Sequence, residues 1–180
     1  NTAPAIALAA LVASATNPDS ALLVLPADHY IGRPEHLRAA IKEALDVALH
    51  TKLVTFGLVP TRAETGYGYI KRGETLSGNV AVLDQFVEKP SEVLAKGYLD
   101  SGEYVWNSGM FLFKAGRFLD ALSEFQPTIV AACRAAMANS ESDMNFVRPD
   151  SKAFAKCPSE SIDYAVMEHT TDGAVVSLDC

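Results

Sequence analysis

The chain has 180 residues, 49% of them hydrophobic, with 15 Lys and Arg against 22 Asp and Glu for a formal net charge of −7. That length is enough for one ordinary domain with a sizeable core. The acidic balance excludes a broad nucleic-acid footprint, which needs clustered cations, but leaves room for one phosphate-bearing small molecule.

Three widely spaced cysteines, Cys133, Cys157 and Cys180, suggest neither a disulfide framework nor a zinc site. They read as reduced, buried thiols of a cytoplasmic protein. The most apolar run, Ala3–Ala15, is too short to span a bilayer, lacks a basic start and is rich in alanine. It reads as a buried helix with Thr2 as N-cap and Pro4 in the first turn, ended by Thr16-Asn17-Pro18-Asp19. With no other stretch of membrane-spanning length, a soluble chain is expected.

Ala21–Leu25 is continuously apolar over strand length, which predicts a strand covered on both faces, as in a parallel sheet. It runs into Pro26-Ala27-Asp28-His29. Carboxylates at the carboxyl end of a buried strand are where α/β proteins place metal and phosphate chemistry. A hard cation such as Mg²⁺ is commonly shared between one or two carboxylates and substrate phosphates. Asp28 suits that role, with the cap of a turn as the alternative. His29 beside it reads first as a hydrogen-bonded structural histidine, with orienting Asp28 or stacking in a site as the alternatives.

Pro34 opens a clearly amphipathic helix with Leu37, Ile41, Ala44, Leu45 and Ala48 on one face. It leads to the strand Leu53–Val59, so that strand, helix and strand form a right-handed crossover. The following Thr61–Ile70 segment contains Gly66-Tyr67-Gly68, a hairpin entry or a close approach of backbone to ligand, without dinucleotide-binding spacing. Gly73–Asn79 reads as a polar turn. After it, Val80–Val87 has β-branched and aromatic character until Pro90 forces the chain out of the ladder. Glu88 and Lys89 thus sit together at a strand end, either as an exposed ion pair or as groups that accept from sugar hydroxyls and neutralise a phosphate.

Ser91 caps a helix Glu92–Leu99 stopped by Ser101-Gly102. Tyr104–Phe113 reads as a loop feeding a strand, with Asn107 either reading a hydroxyl or bonded to local backbone. Helices follow over Gly116–Phe125 and Pro127–Asn139, with Leu119, Leu122, Ile129, Ala132 and Cys133 inward. Ser140–Pro158 reads as a loop with short helical pieces, Ser161–Met167 as a short helix with Asp163 and Glu168 near its ends, and Val175–Leu178 as a last strand.

Six blocks in this order carry a resemblance. Asn1-Thr2-Ala3-Pro4-Ala5-Ile6, Leu25-Pro26-Ala27-Asp28-His29, Thr65-Gly66-Tyr67-Gly68-Tyr69-Ile70, Phe86-Val87-Glu88-Lys89-Pro90, Trp106-Asn107-Ser108-Gly109-Met110-Phe111 and Ser161-Ile162-Asp163-Tyr164-Ala165-Val166-Met167-Glu168 are similar to those of the mannose-1-phosphate guanylyltransferases. The likeness is greatest to the bacterial type fused to a mannose-6-phosphate isomerase domain. The resemblance implies an α/β, Rossmann-like sugar nucleotidyltransferase fold, with a mixed, mostly parallel sheet and helices on both faces. It also implies that GTP and mannose 1-phosphate give GDP-mannose and pyrophosphate, with Mg²⁺ as cofactor, and it allows a homo-oligomer.

By the same resemblance Asp28 binds the metal, Glu88 holds mannose hydroxyls and Lys89 meets the sugar phosphate. Gly68 offers its N–H to the sugar, Asn107 holds a further hydroxyl, and Asn1 and Thr2 approach the nucleotide. On this expectation, residues 1–180 are the central part of one catalytic domain. The Gly-rich triphosphate loop would precede Asn1 and a second metal-binding aspartate would follow Cys180, leaving the piece itself catalytically crippled. A non-catalytic nucleotide-sugar sensor on the same fold, or a transferase for another sugar 1-phosphate, are the alternatives.

Overall fold

Residues 1–50 and 52–179 are described by the structure, a computed structural model; Cys180, expected as a buried thiol, lies outside them. The elements are α1 (Thr2–Thr16), β1 (Ala21–Val24), α2 (Pro34–Leu49), β2 (Leu53–Leu58), β3 (Tyr69–Ser77), β4 (Val80–Val87), α3 (Glu92–Ser101), β5 (Tyr104–Lys114), α4 (Ala115–Phe125), α5 (Pro127–Ala138), β6 (Glu141–Asp143), β7 (Phe146–Arg148), α6 (Ser151–Phe154), a π-helical turn Asp163–Met167 and β8 (Gly173–Leu178). They divide into a helical unit, Asn1–Ser20 with Ala115–His169, and a sheet unit, Ala21–Lys114 with the segment from Thr170 onward.

In the sheet unit six strands are ordered β1-β5-β2-β8-β4-β3, and β3 pairs additionally with β5. The α/β class expected from the sequence is realised, but the sheet is mostly antiparallel: of the described ladders, only β2 with β8 is parallel. The reason is topological. β5 enters between β1 and β2 and runs against both, so the crossover pair β1–α2–β2 is co-directional yet never adjacent.

Apolar α2 residues Leu37, Ala40, Ala44 and Ala48 pack on Val54, Phe56, Met110, Leu112, Val176 and Leu178, burying one face of the sheet. This is the hydrophobic stripe that helical periodicity predicts. α3 starts at Ser91, whose Oγ accepts from Leu94 N–H at 3.4 Å, and stops at Gly102 in the left-handed region (φ +67°), as read from the sequence. Its Ala95 packs on Tyr69 and Trp106.

Several local expectations change. β1 is not covered on both faces: Ala21 and Leu23 are exposed, because β1 ends the described strand order and has one ladder, to β5. Gly73–Asn79 is no turn, since β3 runs on to Ser77 through irregular pairing with β4 and reverses only at Gly78 (φ +52°). Tyr104–Phe113 is strand throughout, its polar Asn107-Ser108-Gly109 held by neighbours on both edges. Ser140–Pro158 contains the exposed hairpin β6–β7 as well as the single helical turn α6.

In the helical unit α1 packs on α4 and α5. Its Ala3, Ala7 and Ala10 are fully buried, small side chains that let helices approach closely. Asn1 rather than Thr2 caps it, with Oδ1 accepting from Thr2 N–H at 2.9 Å. The Thr2 hydroxyl is taken instead by Ile162 N–H, also at 2.9 Å. Phe118, Leu122, Ile129 and Cys133 complete the core of this unit, and Ala132 is half-buried. No helix among the described residues is long and apolar enough to cross a membrane.

Candidate functional site

β5 carries two successive neighbours along one edge. Phe111–Lys114 pairs with β1 and Tyr104–Trp106 with β3, while β2 occupies the opposite edge. Where β1 leaves and β3 has not yet begun, the sheet splits beside Asn107–Met110. A cavity of about 430 Å³ opens there, lined from four directions: Pro26 and His29 after β1, Leu58 at the end of β2, Arg62, Gly66, Tyr67 and Gly68 before β3, and Glu88 after β4. Trp106, Asn107, Ser108 and Gly109 of β5 form its floor. Crevices at a sheet split beyond strand ends are where α/β proteins bind ligands, and this volume lies in the range of small-molecule sites.

The sequence-predicted residues Gly68, Glu88 and Asn107 meet in this wall. A Cβ on Gly68 would collide with Glu88 Oε2 and lie 3.2 Å from Asn107 Cβ, so glycine is what permits the carboxylate to reach the cavity. The backbone is pinned at the same point, with Asn107 N–H donating to Gly68 O at 2.8 Å. Asn107 Oδ1 accepts from Gly109 N–H at 3.1 Å and lies 3.2 Å from Thr55 Oγ1, which also reaches Met110 O at 3.1 Å. The bond to local backbone that competes with a ligand role therefore exists, and it fixes the amide with its oxygen turned inward. Ser108 Oγ donates to Phe56 O at 2.6 Å, and Gly109 (φ +71°) supplies the left-handed residue that kinks β5 here.

Glu88 retains only 12% side-chain exposure, whereas Lys89 is 59% exposed with Nζ 3.7 Å from Glu88 Oε1. Lys89 adopts φ +48°, unusual for a residue with a Cβ, and its N–H donates to Tyr67 O at 3.2 Å. Asp28 is exposed on the loop after β1, between the cavity-lining Pro26 and His29. Neither Asp28 nor Lys89 lines the cavity. Among the described residues no cluster of three or more His, Cys, Asp or Glu could hold an ion unaided. One exposed carboxylate fits the mode in which a hard cation takes most of its oxygens from phosphates and water. Asn1 and Thr2 belong to the helical unit, where their side chains secure α1 and Ile162.

Arg62, Tyr67 and Trp106 are cavity residues that the sequence did not single out. The Arg62 guanidinium sits 5.5 Å from the Trp106 ring centroid, and the Tyr67 ring stands nearly perpendicular to the same indole at 5.3 Å between centroids. Trp106 is 7% exposed, and its buried Nε1 has no hydrogen-bond partner among the described residues. Glu64 organises the loop: Oε1 accepts from Gly66 N–H at 3.1 Å and Oε2 from Arg62 at 3.2 and 3.3 Å. Those bonds, Gly66 first and Arg62 next, hold its carboxyl below the usual range. The signal available in the sequence was the placing of Arg62 and Tyr67 in the loop of Gly66 and Gly68, and of Trp106 beside Asn107.

A family model described as nucleotidyl transferase matches residues 1–154. The chain is 53% identical over 185 aligned residues to a mannose-1-phosphate guanylyltransferase of Escherichia coli strain K12, covering 99% of this chain and 39% of that protein. It is 54% identical to the xanthan biosynthesis protein XanB of Xanthomonas campestris pv. campestris, covering 99% of this chain and 38% of the other. The chain thus spans about two fifths of the length of these curated relatives. Among solved structures, a Helicobacter pylori protein described as mannose-6-phosphate isomerase superposes with a TM-score of 0.89 at 36% identity, over 100% of this chain and 69% of the other. A Thermus thermophilus protein described as mannose-1-phosphate geranyltransferase gives 0.86 at 35% identity, over 99% and 51%.

Proposed function

Because the chain belongs to the nucleotidyl transferase family, we propose that this protein transfers the guanylyl group of GTP to mannose 1-phosphate, forming GDP-mannose and pyrophosphate in the cytoplasm. The observation that carries the reading is the convergence of Gly68, Glu88 and Asn107 on one cavity at a sheet split, in a chain more than half identical to guanylyltransferases.

In the reaction a phosphate oxygen of the sugar phosphate displaces pyrophosphate at the α-phosphorus of GTP. Little covalent chemistry is asked of the protein, which has to position two anions and offset their charge. Glu88, mostly withdrawn from water, accepts from sugar hydroxyls. Asn107, its oxygen anchored by Gly109 and Thr55, contributes a fixed amide to a further hydroxyl, and Gly68 lets the sugar approach the backbone. Exposed Lys89 meets the sugar phosphate. Asp28 would hold the divalent cation, Mg²⁺ in this reading, which when bound offsets charge on the phosphates. Asn1 and Thr2 are assigned to the nucleotide by family resemblance alone.

The test is Asp28→Asn and Lys89→Ala in the full-length protein. Asp28→Asn is expected to abolish turnover while weakening sugar-nucleotide binding much less, and Lys89→Ala to raise the KM for mannose 1-phosphate. Unchanged turnover in the first, or unchanged KM in the second, would remove that residue's role. A panel of nucleoside triphosphates and hexose 1-phosphates checks the substrates, and preference for another pair would replace the assignment.

A further inference from the structure

We propose that Cys133 and Cys157 form a thiol pair that closes to a reversible intramolecular disulfide, independently of the nucleotidyl-transfer reading. Both are free thiols, and their sulfurs lie 4.0 Å apart, close enough for one S–H to point at the other sulfur. Cys133 is on α5 with Sγ 3.7 Å from Pro4 O. Cys157 follows α6 in the chain, its Sγ 3.9 Å from Ile129 O.

A disulfide requires an S–S distance of about 2 Å, so the sulfurs must close by roughly 2 Å. The side to move is Cys157. It ends the exposed turn Ala155-Lys156 and is held by its N–H to Phe154 O at 2.9 Å, whereas Cys133 is locked in the packed face of a three-turn helix. The alternative use of two thiols, soft-metal binding, finds no third ligand among the described residues to complete a common site.

The environments of the two sulfurs set the order of events. Cys133 is fully buried, and burial, with Cys157 beside it, pushes its thiol up to about 12. Cys157 is half-buried and is the sulfur a small oxidant reaches first. With a low-molecular-weight disulfide as oxidant, the Cys157 thiolate attacks one of its sulfurs and expels a thiolate, leaving a mixed disulfide. Cys133 then gives up its proton and attacks Cys157 Sγ, expelling the second thiolate. Two protein thiols are oxidised, one small disulfide is reduced to two thiols, and the two protons end on the released thiols. Conversion of Cys157 to the mixed disulfide removes both of its contributions, electrostatic and hydrogen-bonding, and leaves burial as what disfavours the Cys133 thiolate. The bond ties α5 to the segment leading into Ser161–Met167 across a separation of 24 residues.

The experiment equilibrates the full-length protein in glutathione buffers of graded oxidised-to-reduced ratio, quenches with acid, alkylates, and maps peptides by mass spectrometry. The expected result is a Cys133–Cys157 peptide pair lighter by two hydrogens, with alkylation lost from both cysteines together and regained on reduction. In Cys133→Ser, glutathione should remain on Cys157. Glutathione accumulating on Cys157 of the unsubstituted protein while Cys133 stays reduced would overturn the proposal, as would a link to Cys180 or full reduction in the most oxidising buffer. The unsubstituted protein decides the matter if the variant fails to fold.

Discussion

Replacing Gly68 by alanine tests the geometry on which the proposed sugar site depends. A new Cβ there meets Glu88 Oε2 well inside van der Waals contact and lies 3.2 Å from Asn107 Cβ and 3.4 Å from Phe86 Cζ. Phe86 is core and Asn107 is tied to Thr55 and Gly109, so the Glu88 carboxylate has to withdraw, by roughly 1 Å to restore normal separation. Overpacking of this kind costs about 1–3 kcal/mol of stability. Misplacement of a binding group by that distance costs on the order of 10²-fold in function. The matched control is Gly97→Ala in exposed α3, where nothing lies within 4 Å of the added methyl and helix propensity favours alanine by about 0.8–1.0 kcal/mol. Thermal denaturation with calorimetric titration of mannose 1-phosphate reads both effects. Gly68→Ala should melt lower, bind more weakly and lose on the order of 10²-fold in kcat/KM of the full-length protein, whereas Gly97→Ala should melt slightly higher and bind normally. A Gly68→Ala protein that melts and binds like the parent would refute the placement of Glu88.

Thr55→Val removes a fully buried hydroxyl that faces Asn107 Oδ1 and Met110 O. It should cost about 1–3 kcal/mol through those under-satisfied acceptors, seen as a lower urea midpoint at unchanged slope; an unchanged midpoint would show the hydroxyl to be dispensable. The loop 62–66 should loosen in acid. The folded pKa of Glu64 lies below its unfolded value, so its contribution is present above the unfolded pKa and is lost as pH falls through the lowered folded pKa. Amide exchange at Gly66 read against pH should show faster opening across that window than the trend set by neighbouring amides, and Glu64→Gln should abolish the excess.

Elements with strong local signals are legible in the sequence. α2 has its apolar stripe, α3 has Ser91 and Gly102 as punctuation, and β4 ends at Val87, shortly before Pro90. Failures came where distant partners decide. Continuous hydrophobicity in Ala21–Leu25 reports a taste for burial, but how far β1 is covered depends on distant parts of the chain, and among the described residues its one ladder is to β5. Polar Asn107-Ser108-Gly109 looked like loop because nothing local reveals that Thr55, Phe56 and Gly68, all 39 or more residues earlier, satisfy its polar groups. The parallel or antiparallel sense of a ladder is likewise set by which strand is inserted between two others. Within the site, Gly68, Glu88 and Asn107 were readable as blocks of a family pattern. Arg62 lies outside those blocks and Trp106, inside one, carries no assigned role, because their association is a tertiary stacking contact between a loop and β5.

Trp106 is the only tryptophan of this chain, and it stands in the cavity floor with a guanidinium over its ring and a phenol ring set nearly perpendicular to it. An indole so enclosed has an emission wavelength governed by the polarity around it and a yield governed by those two neighbours. The chain therefore contains an intrinsic optical probe at one defined point: displacement of Arg62 alters the field across the ring, and entry of water shifts the emission to the red. Filling of the cavity can be followed by spectroscopy without a label, against a background free of other indoles in these 180 residues.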